Sequence, residues 1–240
     1  MIKSVFSTSF FEQKKTIETL IDESRADYDF YLFLFVASLI TTLGLLMGNS
    51  VVVIGGMLVA PLLSPILSLG MGVATSSQEA IKRAFVIIGK SVLVVFIVSL
   101  LTAFLLNNEG ITKEVEMAST PHFAFFLIAF FSGIVAAYAW VKNNINASLP
   151  GVAIAVSLIP PLCSVGIGLS LASGDIISGS LLLFIMNLLG IVLAAIVTFS
   201  LFGFSNLQRV EEKKIKEEQI DSVKIKEDDV PLDEDSNKTQ

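Results

Sequence analysis

The stretch 28–204 carries almost no charge, and this one feature narrows what the chain can fold into more than any motif does. Its few acids and bases fall mainly in short polar turns, and the segments between those turns are long and apolar. The whole-chain composition agrees: charged residues make up 16%, against about 25% in a soluble globular chain, and hydrophobic residues make up 53%. Mean hydropathy is +0.77, and 18 Phe stand against 16 Lys+Arg. Such a middle cannot cover a water-facing surface, so the chain reads as an all-α integral membrane protein.

A helix crossing the hydrocarbon layer needs roughly 20 mostly apolar residues. Six segments qualify: 29–47, 51–74, 84–106, 121–141, 149–172 and 179–202. The polar residues fall between them, at 48–50, 75–83, 107–120, 142–148 and 173–178. The organisation is therefore a polar N-terminal segment, 1–27, a six-span membrane domain, 28–204, and a charged tail, 205–240. The N-terminal segment carries acids and lacks the basic start and apolar core of a cleavable signal peptide, so span one is expected to anchor the mature chain.

Orientation follows from Lys and Arg. With six spans, the side holding both termini and the second and fourth turns carries 14 Lys and Arg, the other side only Lys113, and Lys90 lies inside span three. That asymmetry predicts cytoplasmic termini in a cell inner membrane, whereas five or seven spans would separate the two basic ends.

The termini allow two readings each. Phe10-Phe11, Ile17 and Leu20-Ile21 recur at near-helical spacing among charged residues, which suits an interfacial amphipathic helix or a helical lead-in to span one. In the tail, Glu212 and Lys216 stand at i,i+4 spacing, and the basic cluster Arg209, Lys213, Lys214, Lys216 suits anionic lipid. The Asp-rich end beyond it is expected to be disordered.

The chain also matches itself. A shift of 96 residues lays Pro65, Ser68, Gly70 and Gly72 on Pro161, Ser164, Gly166 and Gly168, with Gly55 on Gly151 and Leu62 on Leu158. The same shift lays span one on span four and span three on span six. Three spans per copy is an odd number, so the second copy must enter the membrane from the opposite side. The prediction is two inverted three-helix repeats, 28–106 and 121–202, a plan recurrent in transporters with a solute site near the midplane.

Spans two and five carry the expected interruptions. Span two contains Gly55-Gly56, Pro61 and Pro65; span five contains Pro150-Gly151 and Pro160-Pro161. A proline inside a helix removes a donor and clashes with the preceding turn, at about 3 kcal/mol. In hydrocarbon, non-helical backbone survives only inside protein or beside a water-filled cavity. Paired breaks lining one cavity are the functional reading; proline kinks with small residues for close packing are the structural one. The candidate binding residues are Ser64, Pro65, Ser68, Pro160, Pro161, Ser164 and Asn187. Asn187 heads them because an amide at membrane depth is costly without a partner, although an interhelical hydrogen bond meets that need equally well. Ser91 is its counterpart in span three. Lys90 is read as snorkelling to the cytoplasmic surface. Gly44-x-x-x-Gly48 permits a close helix contact, and Asp175 helps to cap span six.

Other chemistry is missing from the sequence. One His and one Cys cannot build a clustered metal site, and Cys163 has no intrachain disulfide partner. No nucleophile elbow, zinc-protease or phosphate-loop motif occurs, and Asp29 at the edge of span one is the only acid in the spans. The expectation is no catalysis, no cofactor and no metal. Net charge of -6, with a pI near 4.8, argues against nucleic acid.

Two runs resemble a known family. Gly55-Gly56-Met57-Leu58-Val59-Ala60-Pro61-Leu62-Leu63-Ser64-Pro65-Ile66-Leu67 and Leu149-Pro150-Gly151-Val152-Ala153-Ile154-Ala155-Val156-Ser157-Leu158-Ile159-Pro160-Pro161-Leu162 are similar to the signature of the membrane-protein family called domain of unknown function 389. Asp27-Tyr28 and Asn187 fit the same resemblance, which covers about residues 24–204. It implies a prokaryotic integral membrane protein of unsettled biochemical role. It also implies relatives with a larger soluble domain ahead of the spans, a part for which this chain shows only a short lead-in.

The reading is therefore binding, conduction or transport of a small solute or ion between spans two and five. The alternative is a non-transporting scaffold or sensor acting through the tail. Partners are the lipid bilayer, a small solute or ion, and further copies of the chain in a homo-oligomer.

Overall fold

The structure is a computed structural model that describes residues 8–106, 110–142 and 148–228, with the side chains of 148–157 and 221–228 outside that description. Among the described residues the regular elements are helices: α1 Phe10–Glu23, α2 Tyr28–Leu46, α3 Ser50–Val59, α4 Leu63–Thr75, α5 Gln78–Leu106, α6 Lys113–Ser119, α7 Phe123–Val141, α8 Ser148–Ser170, α9 Gly174–Leu201 and α10 Gln208–Asp228. Four of them, α2, α5, α7 and α9, are long and apolar enough to cross a bilayer, and α3 with α4 makes a fifth if the bent pair is one span. The fifth expected span, 149–172, falls on α8, whose described apolar part, Leu158–Ser170, is shorter than a bilayer requires. The tail residues 229–240 and the side chains of Pro150 and Gly151 lie outside the described residues.

The bundle is apolar on the outside and small and polar within, as a hydrocarbon solvent dictates. Phe33, Phe85, Phe104, Phe131 and Leu182 are exposed, whereas Ala37, Ser38, Thr42, Ser91, Ala136, Ala194 and Thr198 are buried. Several interior hydroxyls answer to their own helices. Ser38, Thr42, Ser91, Thr102 and Thr198 each donate to the carbonyl four residues back, at 2.7–2.9 Å. No water is needed to satisfy them.

Short turns join the helices. After α2, Gly48 adopts φ +62, its N–H donates to Leu45 O at 3.2 Å, and Asn49 N–H donates to Gly44 O at 2.9 Å. That is a Schellman cap. Asn49 then caps α3, its side-chain oxygen accepting from Val51 and Val52 N–H. Gly44 lets α3 close onto α2, since a Cβ there would stand 2.7 Å from the Val53 nitrogen. The close contact that the Gly44-x-x-x-Gly48 pattern permits is thus made within this hairpin.

Span two is broken and span five is not. Ala60, before Pro61, turns extended at φ -74 and ψ 121, the conformation a following proline imposes. The chain bends by 58° before α4 starts. Pro65 then lies in the first turn of α4, where its missing N–H would have had no helical partner. In α8, by contrast, Pro160 and Pro161 sit inside a continuous helix. This corrects the expectation of paired breaks. Ile159 and Pro160, each followed by a proline, stay helical there, whereas Ala60 before Pro61 does not.

Contacts recur at the 96-residue spacing. Gly70 of α4 abuts Ala195 of α9, and Gly166 of α8 abuts Ser99 of α5. A Cβ on Gly72 would stand 2.9 Å from Ala80 Cβ, and one on Gly168 would stand 2.8 Å from Ile176 Cγ2. Ser76 and Ala172 both adopt positive φ, +61 and +51. Beside them Ser77 N–H donates to Gly72 O and Ser173 N–H to Gly168 O, each at 2.9 Å. The two turns lie at opposite ends of the bundle: Thr75 touches Glu211 of α10, whereas the start of α9 meets α6 through Gly179 and Ser119 O.

The terminal end is closed by α1 and α10. Ser9 and Glu12 form a capping box that starts α1, and Ile17, Leu20 and Ile21 are buried against the ends of α4 and α7 and against α10. These three residues of the α1 stripe are thus covered by protein, whereas Phe10 and Phe11 stay exposed. Gln13 Nε2 donates to Phe202 O at 2.7 Å, closing the end of α9. Lys142 sits over the Phe202 ring, 5.4 Å from its centroid, so the fourth turn shares this end.

Candidate functional site

A cavity of about 210 Å³ enters the bundle from the end away from the termini. Its rim holds Ser50 at the start of α3 and Glu114 of α6, with Ser50 Oγ donating to Glu114 Oε1 at 3.0 Å. Val53, Ile54 and Met57 of α3 form one wall, which takes Met57 about 10 Å below Ser50 at the helical rise per residue. Met117, Ala118 and Phe125 form another, and Leu45 and Leu183 narrow it. The floor is Pro160, Pro161 and Asn187. Asn187 lies about 20 Å from the start of α9, near the middle of that helix, and is 1% exposed. Thioethers, an aromatic ring and aliphatic chains line the walls, so polar chemistry is confined to the rim and the floor.

The tertiary structure brings three of the sequence candidates together, Pro160, Pro161 and Asn187, and it separates the rest. Ser64 and Pro65 stand in the first turn of α4, beyond the bend that turns α4 away from the α3 wall. Ser68 and Ser164 are buried in helix contacts that Gly70 and Gly166 draw tight. The Ser164 hydroxyl has no hydrogen-bond partner among the described residues. Ser91 donates to Ile87 O at 2.9 Å, and Lys90 is exposed on α5, away from the cavity. Asp175 stands in the first turn of α9, whose N-cap Ser173 makes no side-chain bond. His122 is a cap rather than a ligand: Nδ1 accepts from Ala124 N–H at 3.2 Å.

Sequence reasoning missed Glu114, Met57, Met117 and Phe125. The segment 107–120 reads as a loop, but it contains α6, started by Thr112 Oγ1 accepting from Val115 N–H. The signal was present: a threonine followed by Glu114 and Glu116 is a helix start. Met57 and Phe125 carry no local signal, since any apolar residue fits a span.

A second polar cluster lies at the terminal end. Arg83 of α5 donates to Ser24 Oγ at 2.7 Å, to Ile21 O at 3.1 Å and to Glu218 at 2.9 Å. Lys214 pairs with Asp22 at 3.0 Å, and the hydrogen bond that its ammonium donates to that carboxylate raises the ammonium pKa. Glu211 of α10 is buried against Thr75, the last residue of α4. Burial pushes its carboxyl up to about 7, against the opposing pull of the Thr75 hydroxyl. This cluster fastens the tail helix to the second half of the broken span.

The family described as domain of unknown function (DUF389) matches residues 57–193, more than half of the chain. The match runs from Met57 in the cavity wall to beyond Asn187 in its floor. An uncharacterised protein of Methanocaldococcus jannaschii is 26% identical over 174 residues, which cover 72% of this chain and 54% of that protein. The chain thus spans about half the length of this curated relative. No solved structure matches.

Proposed function

The chain belongs to the family described as domain of unknown function (DUF389), and on that premise we propose that it binds a small solute or ion at mid-depth in a cell inner membrane and passes it across. The observation that carries this reading is the cavity whose floor joins Asn187 to the tandem prolines Pro160 and Pro161. The cavity joins a polar rim, Ser50 and Glu114, to a buried amide through apolar walls. At about 210 Å³ it suits a ligand smaller than the drug-sized molecules of ordinary pockets.

Six spans in two inverted halves belong to the same proposal. The recurrence of Gly70 on Ala195 as Gly166 on Ser99, and of the Ser76 turn as the Ala172 turn at the other end, supports it. Cytoplasmic termini are supported by Arg25, Arg83, Lys142 and Lys214 gathering at the terminal end. Homo-oligomerisation is proposed through outer faces such as those at Gly55 and Gly89, around which space is open. The reading contains no catalytic step.

The test is flux in liposomes containing the purified protein, against a panel of ions and small polar solutes, with Asn187→Leu and Pro161→Ala beside the parent. Flux of at least one solute that Asn187→Leu abolishes is the expected result. No flux from folded parent protein across the panel would leave the second reading, a scaffold or sensor working through the tail. The docking of α10 onto α4 and α5 through Glu211 and Glu218 favours that alternative.

A further inference from the structure

We propose that the groove between α1 and α10 holds the phosphate of an anionic phospholipid from the leaflet facing the chain termini. Two helices from opposite ends of the sequence enclose a cavity of about 410 Å³. Lys14 of α1 and Arg209, Lys213 and Lys214 of α10 line it, against Glu18 and Glu217. Four cations therefore face two carboxylates. The pairs that form inside it are long: Lys14 to Glu18 at 3.6 Å and Lys213 to Glu217 at 3.7 Å. Exposed pairs of that kind contribute little and release their cations readily. Lys214 takes its partner, Asp22, from outside the groove. Arg209 is exposed and has no ion pair among the described residues, and its guanidinium matches a phosphate with two parallel donors.

Position and shape decide the source of the phosphate. The helix α9 ends at Leu201, and only a short turn, Phe204–Asn206, separates it from α10. Arg209 thus stands where the last long apolar helix leaves the bilayer, at headgroup level. The groove also has an apolar end, Phe10, which is 63% exposed. A free phosphate has no use for an aromatic ring, whereas the glycerol and upper acyl carbons of a phospholipid do. The zwitterionic lipids of the same leaflet bring their own cation and gain less from the excess positive charge. A bound lipid bridges Lys14 to Arg209 and Lys213, so it clamps α10 against α1.

The test uses the full chain in a mild detergent, with native mass spectrometry for retained lipid and thermal unfolding for its effect. Phosphatidylglycerol, phosphatidylcholine and inorganic phosphate are added separately to the parent, to Arg209→Gln/Lys213→Gln and to Lys216→Gln. Lys216 lies on α10 outside the groove, so its substitution shows what the loss of one α10 cation does without touching the groove. Phosphatidylglycerol is expected to be retained and to raise the melting temperature, with affinity about tenfold weaker in the double variant and unchanged in Lys216→Gln. Higher salt weakens the binding. Equal retention of phosphatidylcholine, or equal loss in the double variant and Lys216→Gln, overturns the proposal. Inorganic phosphate reproducing the full stabilisation overturns the lipid as its source. Should the double variant not fold, Lys14→Gln on α1 carries the same comparison.

Discussion

Replacing Glu211 by Gln should change the pH dependence of stability in a direction set by the packing around the carboxyl. The side chain is fully buried at the junction of α10 with Thr75 and near Arg83. The Thr75 hydroxyl lies within reach of Met71 O at 3.1 Å and Gly72 O at 3.2 Å as well as of Glu211, yet it has one proton to donate. A protonated Glu211 resolves the competition by donating to Thr75, which then donates to its own helix. In the unfolded chain the carboxyl ionises near its ordinary value of 4.5, and in the folded chain near 7. Between those values the folded state binds more protons than the unfolded one, so stability falls as pH rises through the window and levels off above it. The full difference is about 3 kcal/mol at 1.36 kcal/mol per pKa unit. For a chain of this size that is about 6–12 °C in melting temperature. Trp140, the one tryptophan, is buried in α7 and reports unfolding by fluorescence. Melting curves at pH 5.5 and 8.5 span only part of that window, and should show the parent losing about 2 kcal/mol, or about 4–8 °C, more than Glu211→Gln. Parallel pH profiles for the two proteins, or a parent that gains on Glu211→Gln as pH rises, would refute the buried-acid argument.

Two further predictions rest on packing at the helix crossings and at the terminal end. Gly70→Ala and Gly166→Ala should each destabilise by about 1–3 kcal/mol, because the added methyl meets Ala195 or Ser99, and Ala195→Gly should recover part of the first loss. Chemical denaturation in mixed micelles measures both, and a Gly70→Ala protein as stable as the parent contradicts the close contact. Arg83→Ala removes the donors to Ser24, Ile21 and Glu218 at a side chain only 12% exposed, at a cost of about 3 kcal/mol. Limited proteolysis should then cut α10 first; unchanged protection of α10 would show that other contacts hold it.

Much of the architecture is local, and a single chain displays it. An apolar solvent forces each crossing segment to satisfy its backbone internally and to present apolar side chains, so the stretches that became α2, α5, α7 and α9 can be read off residue by residue. The Schellman turns after α2, α4 and α8 are equally local, and the 96-residue correspondence of Gly70 and Gly166 was visible before any contact was known. The fate of the prolines was not. Sequence identifies a missing donor, but Pro61 with Pro65 breaks a span while Pro160 with Pro161 does not. The outcome depends on what packs alongside.

The candidate site belongs to the tertiary structure. Asn187 could be singled out in advance because an amide is conspicuous among leucines, but its neighbours Met57, Met117 and Phe125 look like any lipid-facing residue. Only the folding of α6 back over the bundle and the bend after α3 turn them into the walls of a cavity. The docking of α10 is of the same kind, since Glu211 and Arg83 lie far apart along the chain and are ordinary surface residues by composition. The primary structure thus determined which segments are apolar enough to enter a bilayer, because transfer from water acts on each segment separately. Which side chains meet inside was decided by the fold, because a contact between distant residues exists only once every intervening helix has taken its place.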